Sequence, residues 1–310
     1  MSDNTSVVNM FTLSGLGGIT NYKITLFVFT FLYYCVILQV NLTVILTIIV
    51  DKSLHEPMYI FLCNLCINGL YGTTGFYPKF LIDILSTSHV ISYVGCLLQA
   101  FVLHSSACAD FSILVLMAYD RYVAICRPLA YHSVMNPQRV SLLIFITWLI
   151  PFCSLFFNTI TTSRYRLCGS HIQRIYCVNY MIAKLSCSAS IANAVLAYIN
   201  YIFYFCHFSA VVWSYVYLIQ KCLGSKESRT KFMQTCLPHL LCLLTMVICM
   251  LFDLLYMRFG TKNLPESIQN FIAIQFILIP PILNPLIYGF KLQKIRRRIQ
   301  YFLWTKHVCI

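Results

Sequence analysis

Met117-Ala118-Tyr119-Asp120-Arg121-Tyr122-Val123-Ala124-Ile125-Cys126-Arg127-Pro128-Leu129 is the stretch on which the fold turns. It closes an apolar run, residues 93–127, that is long enough to cross ~30 Å of hydrocarbon as a helix. Asp120 and Arg121 stand side by side near its end. Adjacent charges on such a run are costly in lipid unless they pair or serve a purpose. The run therefore reads as a membrane span with a working end.

Moving outward, six further apolar runs flank this one. In chain order the seven are about 23–50, 57–84, 93–127, 139–161, 191–221, 231–259 and 267–290, here spans 1 to 7. The expected fold is an all-α membrane protein: a seven-transmembrane helix bundle over 23–290, preceded by an extracellular tail, 1–22. A cytoplasmic tail, 291–310, follows, with an amphipathic helix carrying Ile295, Ile299, Phe302 and Leu303 on one face. Composition agrees. Hydrophobic residues make up 59% of the chain and charged residues 10%, against roughly 25% charged in soluble domains. Mean hydropathy is +0.76.

The net charge of +13 does not imply nucleic acid. The cations gather on one side of the spans, at Lys52, Arg121, Arg127, Arg139, Lys221–Lys231 and Lys291–Lys306. That is the positive-inside bias of cytoplasmic loops, where they also meet membrane lipid. The N-terminus is accordingly expected outside and the C-terminus inside. No secretory signal is visible, so span 1 is expected to direct its own insertion. Asn4-Thr5-Ser6 is a glycosylation sequon on the outer tail, whereas Asn41-Leu42-Thr43 lies mid-span. Of the 16 Cys, only Cys96, Cys168, Cys177 and Cys187 fall on the oxidising side, and four Cys allow three connectivities.

The ten residues Met117–Cys126 resemble the MAYDRYVAIC signature of vertebrate odorant receptors, within the rhodopsin-like G-protein-coupled receptors. Leu54-His55-Glu56-Pro57-Met58-Tyr59, Ser214-Tyr215, Lys231 through Thr235-Cys236 to His239-Leu240, and Pro281 to Tyr288 resemble further motifs of that family, in the same order. Ile67–Gly72 resembles fish members. Two positions depart from the pattern. Gly69, beside Asn68, replaces the usual span-2 Asp, and Pro238 replaces a common Ser, where it can bend span 6. The resemblance implies an odorant receptor in the plasma membrane of olfactory cilia, raising cyclic AMP through a stimulatory G protein. It also implies the pairings Cys96–Cys177 and Cys168–Cys187.

Each motif has a chemistry. Asp120, Arg121 and Tyr122 form a switch in which Arg121 pairs with Asp120 at rest and is released to a G protein; the plainer reading is a static ion pair. Asn284-Pro285-x-x-Tyr288 kinks span 7, because Pro285 frees a carbonyl. Tyr288 can then swing toward Tyr215, and His239 joins this group by resemblance. Asp110, mid-span 3, is either a sodium ligand standing in for the missing span-2 Asp or a neutral hydrogen-bonded acid.

A ligand is expected in the outer bundle, contacting His104, Cys108 and Phe111 on span 3 and Asn200, Tyr204 and His207 on span 5, each set at helical spacing. For each aromatic or Cys, plain helix packing is the alternative. Arg258, at the outer mouth with Lys184 nearby, would favour an anionic odorant; pairing with Glu266 or snorkelling to head groups is the bland alternative. No nucleophile elbow, metal-spaced His pair or phosphate loop marks an enzyme. A non-olfactory chemoreceptor and, from another class, a transporter or channel are the rivals; a transporter would often show paired repeats, and none stands out.

Overall fold

The structure is a computed structural model that describes residues 9–15, 22–188, 191–222, 226–259, 266–292 and 294–300. Span 1 is the helix Lys23–Val50, span 2 Pro57–Leu85, span 3 Tyr93–Cys126, span 4 Pro137–Ser163, span 5 Ile191–Cys222, span 6 Lys226–Phe259 and span 7 Glu266–Lys291. Local chemistry sets several ends. Pro57 and Pro137 sit in the first turns of spans 2 and 4, where a missing N–H costs nothing. Ser92 Oγ and Asn136 Oδ1 cap spans 3 and 4 by accepting from Gly95 N at 3.1 Å and Arg139 N at 2.9 Å. Span 6 runs on as one helix through Pro238.

Among the described residues, five of these helices are long and apolar enough to cross a membrane by length and composition alone. Large apolar side chains stand exposed on their outer faces: Ile24, Phe29 and Leu46 on span 1, Phe145, Leu149 and Phe156 on span 4, Phe205 and Trp213 on span 5. Such a belt would drive aggregation in water and is at ease in lipid. Span 2 carries more polar groups, and many of them face inward: Asn68, Thr73 and Asp83 are buried.

Span 3 is the axis of the bundle and packs on spans 2, 4, 5 and 6. Its apolar window is 61% buried, against 17% for that of span 4, which faces outward. Lipid tails are as apolar as Leu, so close approach of small residues does much of the holding. Gly72 shows this: a Cβ there would lie 2.2 Å from Ser106 Oγ, so only glycine lets spans 2 and 3 meet.

One end carries a feature that hydropathy does not predict. Strand β1 (Met10–Leu13) pairs antiparallel with β2 (Val90–Ser92) and parallel with β3 (His171–Ile172). Part of the segment expected as a tail is thus folded in, with Phe11 fully buried. The disulfides Cys96–Cys177 and Cys168–Cys187 close beneath this sheet. Phe11, Leu13, Ile91, Ile172 and Ile182 pack around Cys96 and Cys177 as a second small core. At the opposite end, residues 294–300 are helical, with Ile295 buried and Ile299 against the main core.

Candidate functional site

The polar residues buried in the bundle fall into three groups, stacked along its axis. The first is at the end of span 3 away from the disulfides. Asp120 is fully buried. Arg121 donates to its Oδ2 through Nε at 2.9 Å and again through Nη2. Tyr131, from the short helix Tyr131–Val134, donates to Oδ1 at 2.7 Å. Burial and the Asp120 carboxylate push the Tyr131 phenol up, which keeps it a donor. Above this lies a bridge between three helices. His239 Nε2 meets Leu114 O at 2.8 Å, and its Nδ1 meets Tyr215 Oη. A carbonyl can only accept, so Nε2 carries the proton and Nδ1 accepts from the tyrosine. The Tyr215 and His239 rings stack at 5.6 Å. Tyr288, buried, lies against Cys242 rather than bonding Tyr215.

The second group is at mid-depth. Asn68 Nδ2 donates to Asp110 Oδ1 at 2.7 Å and to Ser106 O at 2.8 Å. Asn41 Nδ2 donates to Pro281 O at 2.7 Å and ties span 1 to span 7. A cavity of about 20 Å³, room for one water or a bare cation, is lined by Asp110, Gly69, Gly72, Thr73, Ser106 and Pro281, among others. Gly69 keeps it open: a Cβ there would touch nothing closer than 3.4 Å, so a longer side chain would grow into the space. Among the described residues, the buried amide oxygens of Asn41, Asn68 and Asn284 meet no donor. An acceptor-rich centre of this kind fits a cation.

The third group is at the disulfide end. His104 Nδ1 meets Ala100 O at 2.8 Å, which leaves Nε2 for a ligand or a proton. Cys108 and Phe111 are half-buried on the same face, and Phe111 packs on the main core. The loop between spans 4 and 5 covers this region. Its Arg174 pairs with Asp253 of span 6 at 2.8 Å, and both are buried. Tyr176, also from the loop, donates to Ala273 O of span 7 at 2.7 Å. Burial opposes the Arg174 charge, but Tyr176 and the Asp253 carboxylate outweigh it and raise its pKa.

The family model for the olfactory receptor matches residues 29–306. The chain belongs to the olfactory receptor family. Olfactory receptor 12D1 of Homo sapiens is 30% identical over 315 residues, covering 98% of this chain and 97% of its own. Olfactory receptor 1D2 of Gorilla gorilla gorilla is 33% identical over 294 residues, covering 93% and 92%. Olfactory receptor 52D1 of Homo sapiens is 32% identical over 310 residues, covering 96% and 95%. The protein is therefore a membrane-embedded, odorant-sensing G-protein-coupled receptor, and its relatives are receptors rather than enzymes.

The receptor brings together Asp120 with Arg121, Tyr215 with His239, and Asp110 with Asn68. The Tyr122 ring lies tilted against that of Tyr217, with 5.9 Å between centroids, and Asn284 is buried on span 7. His207 is half-buried on span 5. Lys184 is exposed and lies 4.7 Å over the Tyr180 ring. The side chains of Asn200, Tyr204, Arg258 and Glu266, and the sequon at Asn4, lie outside the described residues.

Three residues that the sequence does not single out complete the arrangement. Tyr131 is a third partner for the Asp120–Arg121 pair. Gln99 accepts from Cys177 N at 2.9 Å and donates to Gly75 O at 3.0 Å, fixing the loop to spans 2 and 3. Arg174 sits in a loop without periodicity, and its partner is 79 residues away. No pattern in the sequence marks that pairing.

Proposed function

We propose that the receptor stands with its disulfide end outside, binds a small odorant among His104, Cys108, Phe111, Asn200, Tyr204 and His207, and activates the stimulatory olfactory-type G protein. Cyclic AMP then rises in olfactory cilia. The observation that carries this reading is the double latch at the other end. Asp120 is held by Arg121 and Tyr131, and His239 of span 6 is tied to span 3 and span 5. A ligand that moves span 6 would break the His239 bridge. The cleft so opened would admit a G-protein helix to Arg121. Such a transition needs two discrete arrangements of one packed element, and this bridge would hold span 6 in the resting one.

Two refinements belong to the same reading. Asp110, beside a water-sized cavity and the unpaired amide oxygen of Asn68, would hold a sodium ion that stabilises the resting arrangement; the neutral acid is the alternative. An anionic odorant, first suggested by Arg258, fits the positive charge at the bundle mouth. The test of the main reading is a panel of small odorants on cells expressing the receptor with its G protein and a cyclic-AMP reporter. At least one odorant should raise cyclic AMP in a receptor-dependent way. A receptor at normal surface density that binds odorants and leaves cyclic AMP unmoved would contradict it.

A further inference from the structure

Arg174 spends only one corner of its guanidinium. Nη1 donates to Asp253 Oδ1 at 2.8 Å and to Tyr176 Oη at 3.0 Å. Nε and Nη2 are buried and meet no acceptor among the described residues. The Arg174 side chain is 3% exposed, so bulk water does not satisfy them. A charged donor left without a partner in the interior is costly, and native structures seldom tolerate one without a bound water, ion or ligand. Nε and Nη2 lie along one edge of a rigid fork, and that edge matches the two oxygens of a carboxylate.

We propose that this free edge of Arg174 is the receptor's recognition group for a small carboxylate with an apolar body. The inference rests on the reading of the disulfide end as the odorant side. The surroundings define the rest of the ligand. The Arg174 guanidinium lies 5.8 Å from the Tyr176 ring and 5.7 Å from that of Tyr256. Phe76 and Phe276 pack edge-on to Tyr176, at 6.0 and 6.3 Å. Aromatic walls around one cationic edge select an acid with a hydrocarbon part and give a free inorganic anion little to hold.

Charge balance is met locally. Asp253 already takes part of the Arg174 charge, so a second carboxylate needs more positive charge nearby. His104 Nδ1 is engaged by Ala100 O, so its open Nε2 is where the proton that a carboxylic acid brings with it would sit. The Cys96–Cys177 bond holds the loop close to Arg174, and Tyr176 fastens it to span 7, so the edge is held in place before a ligand arrives. Asp253 and His239 share span 6, fourteen residues or about 21 Å apart at 1.5 Å per residue. An acid drawn to Arg174 therefore acts on the helix that carries the bridge at the other end.

Straight-chain carboxylic acids, their methyl esters and the matching alcohols are applied to cells expressing the wild type, Arg174→Lys, the neutral pair Arg174→Gln with Asp253→Asn, and Arg258→Ala. Surface density is followed with an N-terminal epitope. Arg174→Lys keeps a cation for Asp253 and removes the fork. The expected result is that acids lose at least about tenfold in potency on Arg174→Lys and on the neutral pair, while responses to neutral ligands hold. Equal acid potency on the wild type and Arg174→Lys overturns the inference, as does loss of the acid response in Arg258→Ala alone. A wild type that answers acids and esters alike, or no acid at all, also overturns it. In each of those cases, surviving cyclic-AMP responses to neutral odorants leave the odorant-receptor reading intact. Failure of both Arg174 variants to reach the surface assigns Arg174 a structural role and overturns it too.

Discussion

Single side chains set the two tightest constraints in the bundle. Gly72 is where spans 2 and 3 touch, and Ser106 Oγ occupies the place a Cβ would need, at 2.2 Å. Gly72→Ala should therefore destabilise the receptor by about 1–3 kcal/mol, the usual cost of overpacking. Adding Ser106→Gly, which removes the obstructing atoms, should restore stability. Thermal inactivation of the purified receptor in detergent measures both; an unchanged Gly72→Ala would place the two helices further apart than described here. Asp110 is the second constraint. With Asn68 as its donor and a water-sized cavity beside it, it should make agonist affinity fall as sodium is added, and Asp110→Asn should abolish that dependence. Titrating sodium against potassium in membranes decides it, and a wild type indifferent to sodium assigns Asp110 to the neutral acid. The sequence exposes Asp110 as an ill-placed charge. It does not show that Asn68 reaches it from span 2, because that contact depends on how two helices rotate against each other.

At the scale of elements, the helix ends fall within a few residues of where the apolar runs stop, since lipid imposes both length and composition on a span. Strands of two to four residues leave no such trace, and the sheet over the disulfides appears only once the chain is folded. The helix 294–300 is intermediate: its apolar face is legible, but its anchor is not. Arg298 pairs with Asp51 in the turn after span 1, and Lys294 donates to Glu56 at 2.7 Å. The bond from Arg298, aided by Ser53, holds the Asp51 carboxyl far below its ordinary value. A depressed carboxylate contributes stability that is complete above its unfolded pKa of about 3.9 and is lost only as pH falls toward the folded value. Docking of this helix should thus persist unchanged at a pH of about 5, whereas Asp51→Asn should loosen it at neutral pH. A fluorescence distance probe between the 294–300 helix and the span 1–2 turn reads both; undocking of the wild type at mild acidity would remove Asp51 as the anchor.

For the whole molecule, the decisive property is that span 6 carries a polar contact at each end: Asp253 to the loop and His239 to spans 3 and 5. The apolar belt on spans 1, 4 and 5 leaves the core free to hold these groups, because the membrane rather than a soluble surface covers the outside. The motifs at the His239 end are readable in the sequence, since they cluster within short segments. The Arg174–Asp253 pair is not, since it joins a loop to a helix across the chain. The latch at the end away from the disulfides centres on Arg121, whose release from Asp120, itself held by Tyr131, is the step that would couple ligand to G protein. The most direct measurement is cyclic-AMP accumulation by wild type and Arg121→Ala at matched surface density, with agonist binding followed on the same membranes. Signalling should be abolished in Arg121→Ala while agonist affinity stays within about threefold of wild type, a change below ~1 kcal/mol. Signalling that survives in Arg121→Ala at that density would contradict the switch.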